Sequence, residues 1–244
     1  MAGGTHVVSL APKIIFAHFD ISGDSNAHVI NQTVDLPDDT NYGDTFEQCL
    51  IGKRGMNFSI AGNMDLTDDL QDEAMQARIA VANVPLIITS NTAAVGDPCE
   101  FGRIALGNYN SQLSFGQVLK FGASGKIADR KWVLGKVLCD PATTISGTGA
   151  GAEVLIGAVS ATQKLYVGIA VLTYTGAGSL TVTVESDTTG FPSTTIQKTF
   201  TNPTAITSEM PTPVDGAITD TYYRYNVTAF SATTVQMIVV AGIQ

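Results

Sequence analysis

His18, Phe19 and Asp20 place an imidazole and a carboxylate two residues apart. On a strand both would share one face, where they could hold a metal or work as acid and base. The other histidines, His6 and His28, stand in no H-E-x-x-H pattern, and no serine sits in a G-x-S-x-G elbow. An exposed strand pair is the expected state of His18 and Asp20. A second cluster, Asp65, Asp68, Asp69, Asp72 and Glu73, is dense enough to suggest a metal site or paired catalytic carboxylates. It lacks the ligand spacing, glycine and distal glutamate of a calcium loop. It falls at a helix start, where the dipole favours negative charge.

Gly122-Ala123-Ser124-Gly125-Lys126 is too short for a phosphate loop and is followed by Ile127 where Ser or Thr is needed. It is expected to be a hairpin turn. Gly147, Gly149 and Gly151 precede a strand, whereas a dinucleotide fingerprint follows a strand and opens a helix. Tyr222, Tyr223 and Tyr225 with Arg224 could stack on a sugar or base. Alternation puts Tyr223 and Tyr225 on one face, for the core, and Tyr222 and Arg224 on the other. Cys49, Cys99 and Cys139 are far apart, without the paired spacing of a zinc site, and are expected as reduced, partly buried thiols. No catalytic residue, metal ligand or cofactor site is expected, and the chain is read as a non-enzyme.

The elements that hold these residues are mostly strands. Residues 54–64 alternate most clearly, with Met56, Phe58, Ile60 and Met64 on one face and Arg54, Asn57, Ser59 and Asn63 marking the other. Further strands are expected at 29–36, 86–89, 100–106, 112–121 and 131–138. One helix is expected after Thr67 or Asp68, burying Leu70, Ala74, Ala77 and Val81 and stopped by Pro85. The second half reads as strands only, at 154–159, 164–173, 179–185, 194–201, 222–230 and 234–242. Gly- and Asp-containing turns separate them, as in an antiparallel sandwich.

Composition shifts near residue 141. Before it lie 10 basic and 16 acidic residues, net −6; after it lie 3 and 6, net −3. Residues 143–151, rich in Gly and Thr, read as a flexible linker between domains at 1–142 and 152–244. Across 244 residues the formal charge is −9 and charged residues make up 14%. Such a balance argues against gripping duplex phosphates. No basic run marks a membrane surface, the first residues carry no leader-like pattern, and no apolar run reaches bilayer length. Synthesis in a cytoplasm is the expectation, so the N-x-S/T patterns at Asn31, Asn57 and Asn226 are read as chance.

Phe19-Asp20-Ile21-Ser22-Gly23-Asp24-Ser25-Asn26 resembles the early "D-L-S-G-D-x-N" segment of siphophage tail tube proteins. Tyr42-Gly43-Asp44-Thr45 resembles their "F-G-D-T", with Tyr42 in place of the usual Phe. Gly52 to Gly55 and Phe58 to Gly62 resemble their following strand, although Gly52-Lys53-Arg54 differs from the commoner Gly-Leu. Gly157 to Tyr166, Val184 to Asp187 and Thr221 to Arg224 resemble an extra domain of the same group.

The resemblance implies a tail-tube-like β-sandwich with one flanking α-helix, followed by a second antiparallel β-sandwich that decorates the outside. It further implies hexameric rings stacked into a tube in the virion tail, made in the host bacterial cytoplasm. The partners implied are copies of the chain, the tape measure, tail terminator and distal tail proteins, and DNA passing through the lumen during ejection, with no membrane. An acidic lumen would repel phosphates, and Asp35, Asp38, Asp39, Asp44 and Glu47 are candidates to line it. The alternative is a capsid or tail decoration protein, or a glycan-binding module.

Overall fold

The computed structural model describes residues 12–36, 38–39, 50, 54–64, 71–112, 115, 117–128 and 132–244. The protein is mainly β, with antiparallel sheets. In chain order the elements are β1 (Ile14–Phe16), β2 (Phe19–Asp20), β3 (Ser25–Val34), β4 (Arg54–Asn63), α1 (Gln71–Gln76), β5 (Val84–Thr89), β6 (Pro98–Gln112), β7 (Lys120–Ile127) and β8 (Val133–Cys139). There follow β9 (Thr144–Ile145), β10 (Gly149–Ala150), β11 (Val154–Leu155), β12 (Lys164–Thr175), β13 (Leu180–Asp187), β14 (Thr195–Thr199), β15 (Thr207–Glu209), β16 (Val214–Asp215), β17 (Tyr222–Phe230) and β18 (Thr234–Ile243).

Two compact units divide the chain, but not near residue 142. The first comprises Met1–Gly23, Pro85–Arg103 and Lys131–Gln244; the second comprises Asp24–Val84 and Ile104–Arg130. The reason is strand pairing. β8, from the expected first domain, pairs with the C-terminal β18, and the N-terminal β1 pairs with β5. Residues 143–151 are also not a linker. Ile145 of β9 pairs with Val235 and is buried, and β10 pairs with β17. The glycine content has a local cause at Gly151, where a Cβ would lie 2.5 Å from Cδ1 of Tyr225.

In the first unit, β12 and β18 sit centrally in one sheet, and β10, β11, β17, β13 and β14 form a second. Val167, Ile169 and Val171 of β12 and Val235, Met237 and Val239 of β18 join Leu180, Val182, Val184, Tyr223 and Val227 in one core. The opposite faces of the same two strands, through Ala170, Ile238 and Val240, enter another core with Ile15, Ile87, Phe101 and Val137. Burial on both faces explains why β18 reads as an apolar run rather than an alternation.

The second unit is a four-stranded antiparallel sheet in the order β3, β4, β7 and residues 104–112 of β6. Phe58 and Ile60 of β4 are buried while Asn57, Ser59, Ala61 and Asn63 are exposed, so the expected alternation holds. Phe121, Ala123, Ile104 and Leu106 complete the buried face.

Two phenylalanines owe their burial to glycines directly across the ladder. Phe58 pairs with Gly125 and Gly62 with Phe121. A Cβ on either glycine would lie 2.7 Å from the opposing ring and nearer still to a backbone carbonyl, that of Asp24 at Gly62 and of Ala105 at Gly125. Residues 122–126 are therefore not a hairpin turn but the middle of β7, bonded on both sides. Likewise 112–121 is not one strand: β6 ends at Gln112 and β7 begins at Lys120.

The helix is shorter than its sequence pattern. Among the described side chains of α1, Met75 is buried, whereas Ala77 and Val81 beyond the helix are exposed. The helix stops at Gln76, and Ala80 adopts φ 62 while its N–H bonds to the carbonyl of Leu106. That bond redirects the chain before a longer stripe can form. Leu70 and the carboxylates at 65, 68 and 69 lie outside the described residues.

Gly62→Ala and Gly125→Ala are each expected to lower unfolding free energy by about 1–3 kcal/mol through overpacking. Urea titration followed by circular dichroism measures the loss, and unchanged midpoints would refute the close packing at these glycines.

Candidate functional site

Asp20 binds Lys13 Nζ at 2.7 Å, accepts from Ser22 N at 3.0 Å and accepts a further bond from the Ser22 hydroxyl. His18 lies in the turn between β1 and β2, its ring 4.3 Å from that of Phe19. His28 is exposed on β3, and His6 lies outside the described residues. Among the described residues no group of three or more His, Cys, Asp or Glu could hold a metal.

Cys99 and Cys139 are buried, free thiols. Burial pushes Cys139 up to about 12, opposed by a hydrogen bond with Tyr225 and reinforced by the Asp140 charge. Cys99 is raised as well, by burial and then by Glu100. Neither offers a thiolate near neutrality. Cys49 lies outside the described residues, and no described helix is long and apolar enough to cross a membrane.

A polar cluster missed by sequence reasoning sits at one end of the second sheet of the first unit. Register pairs Glu185 with Arg224 and Thr183 with Asn226. The Glu185 carboxylate is buried, accepting from Arg224 Nε and Nη2 at 3.2 Å each and from Asn226 Nδ2 at 2.7 Å. Phe191 covers the guanidinium at 4.1 Å. Its φ of 49 is held by the loop that Asp187 fastens: Asp187 accepts from Thr188 N at 2.7 Å and Ser193 N at 2.6 Å. Ser186, between these acids, donates to Asp220 Oδ2 at 2.6 Å. Nearby, Tyr223 is pushed up to about 12 by burial and then by Asp220. As expected, Tyr223 faces the core and Tyr222 and Arg224 share the other face. The sequence signal was Asp187 immediately before Thr188-Thr189-Gly190, an Asx-turn pattern. Every acid and base here has a structural partner, so the cluster fixes a loop.

The second unit presents a different surface. β3 is exposed along nearly its whole length and, among the described residues, pairs only with β4. At the other edge of that sheet, residues 110–112 pair with 120–122 and with no other described strand. Among the described residues the sheet thus leaves β3 and the tip of β6 without a further strand partner, while Leu106 of β6 is bridged by Ile79. Its outward face carries Asn31, Thr33, Asn57, Ser59, Ser124 and Asn110 with Lys120 and Lys126, by register. No carboxylate stands at these register positions. Asp35 follows the end of β3, beside a groove of about 430 Å³ lined also by Thr33, Asn57 and Lys126. Asp38 and Asp39 are exposed, and Asp44 and Glu47 lie outside the described residues.

No family model matches the chain, and no curated protein matches it. Among solved structures it is similar to the crystal structure of the SPP1 Dit (gp 19.1) protein, described as a paradigm of hub adsorption apparatus in Gram-positive infecting phages. The two are 8% identical with a TM-score of 0.36, over 96% of this chain and 99% of that one. That overlap is too low for the fold or the role of the hub protein to be transferred.

Glu185→Ala leaves Arg224 beneath Phe191 without its carboxylate and is expected to cost about 3 kcal/mol or more. The double replacement Glu185→Met with Arg224→Met is expected to cost clearly less, because no charge is stranded. Denaturant midpoints of the three proteins test this. In the native protein, Cys99 and Cys139 are expected to resist iodoacetamide at pH 8 and to react fully once unfolded. Peptide mapping separates them from Cys49, and rapid native labelling of either would contradict their burial.

Proposed function

We propose that the chain is a structural, non-enzymatic subunit of a phage tail, closing into rings through the two edges of the second unit's sheet and stacking as a tail tube. The observation that carries this is β3, ten residues long, exposed and paired among the described residues only with β4. An unpaired edge of that length invites association unless another chain covers it. Two different edges on one subunit make a head-to-tail contact, which closes into a ring when the rotation allows. The resemblance in the N-terminal half implies six copies. Four strands from each would give a barrel with a backbone diameter of at least about 37 Å. That leaves room for a duplex inside the side chains. An amide and hydroxyl wall lets DNA pass without base readout, while Lys120 and Lys126 on the same face would attract its phosphates.

In this role the protein belongs to the virion tail, is made in the host cytoplasm, and meets the tape measure, terminator and distal tail proteins at the ends or inside of the tube. Expressed chain is expected to form rings with a central hole in negative-stain micrographs. In an edge strand alternate N–H groups point outward. Of Val29→Pro and Ile30→Pro, the one that removes an outward N–H should fold normally and lose rings. The other should also lower the melting temperature. Monomers at all concentrations and salts would refute the ring. Saccharide binding by such monomers, lost in Tyr222→Ala, would instead identify a glycan-binding module.

A further inference from the structure

Large apolar side chains are exposed at both ends of the second unit's sheet. At one end the strands finish at Asn63, Lys120 and Gln112, and the connection from β6 to β7 carries Phe115 and Val118. Phe115 is fully exposed, at 108% of its reference area, and Val118 is at 63%. At the other end β3 finishes at Val34 and continues to Leu36, while Leu50 precedes β4. These three are 42%, 61% and 55% exposed. The two groups are separated by the length of the strands, about 30 Å.

A single exposed apolar residue needs no explanation. Two groups at opposite ends of the same strands are too far apart to meet within one copy and can meet only between copies. Translation along the strand direction brings the Phe115 end of one sheet to the Leu36 end of the next. Such a contact is heterologous and does not close, so it propagates as a filament. Edge pairing acts sideways, across the strands, and uses backbone groups. The end-to-end contact acts along them and uses side chains.

We propose that Phe115 and Val118 of one copy pack against Val34, Leu36 and Leu50 of a copy in the next ring, and that this contact joins rings into a tube. This rests on the ring reading above. It assigns stacking to residues distinct from those that close the ring.

The test uses the full chain and two double variants, Phe115→Ser with Val118→Ser, and Leu36→Ser with Leu50→Ser. Micrographs and sedimentation velocity read ring and stack length. Wild type is expected to form stacks, and each double variant single rings. Because each variant keeps one intact end, mixing the two should give stacks of two rings and no longer ones. Melting temperatures within about 3 °C of wild type would show that the fold is kept. Should the first pair aggregate, Phe115→Gln alone carries the same comparison. Stacks of wild-type length in either variant would overturn the contact, as would wild-type rings that never stack. Wild-type protein that forms no rings would refute the ring reading itself.

Discussion

β12 and β18 lie side by side over ten registered pairs, and the other strands of the first unit depend on that pairing. β15 and β16 attach to β12, and β8 and β9 attach to β18. Both strands bury both faces, one against the second sheet and one against β1, β5 and β6. Each fully buried Val or Ile contributes roughly 1.5–3 kcal/mol relative to exposure. A strand that buries side chains on both sides contributes to two cores at once. This is why the N-terminal β1 and the C-terminal β18 belong to one compact unit despite their separation in sequence.

The second unit follows another logic. Its sheet buries one face, with Phe58 and Phe121 lying over Gly125 and Gly62, and leaves the other polar. Nothing among the described residues covers β3. A stable isolated domain usually blunts such an edge with charge, proline or a bulge. β3 carries no Lys, Asp, Glu or Pro, and its register shift lies only at its start, between Ser25 and Ala27. The strand keeps one edge unpaired among the described residues, and the face beside it is polar.

The charged groups of the first unit serve structure. Glu185, Arg224 and Asn226 satisfy one another, and Asp187 holds a tight loop over them. A buried carboxylate is tolerable only with such partners. The same bonds leave the cluster without a spare group for chemistry. Asp20 behaves likewise toward Lys13 and Ser22.

Period-two alternation at Met56, Phe58 and Ile60, and turn residues between the C-terminal strands, were enough to locate most strands and the mainly β class. The fate of Tyr223 against Tyr222 was also legible, because alternation is a local property of the pleat. Other features depended on partners distant in sequence. The Gly-rich 143–151 segment reads as a linker until β9 and β10 find β18 and β17. Gly122 and Gly125 read as a turn until Asn110 and Phe58 occupy the space a Cβ would need. The helical stripe through Ala77 and Val81 failed because Ala80 bonds to Leu106, 26 residues further along the chain. By itself the sequence determined which residues alternate, which turn and which acids crowd together. The tertiary structure alone decided which strands become neighbours, and so which edges remain open, because hydrogen-bond ladders join residues that no local pattern relates.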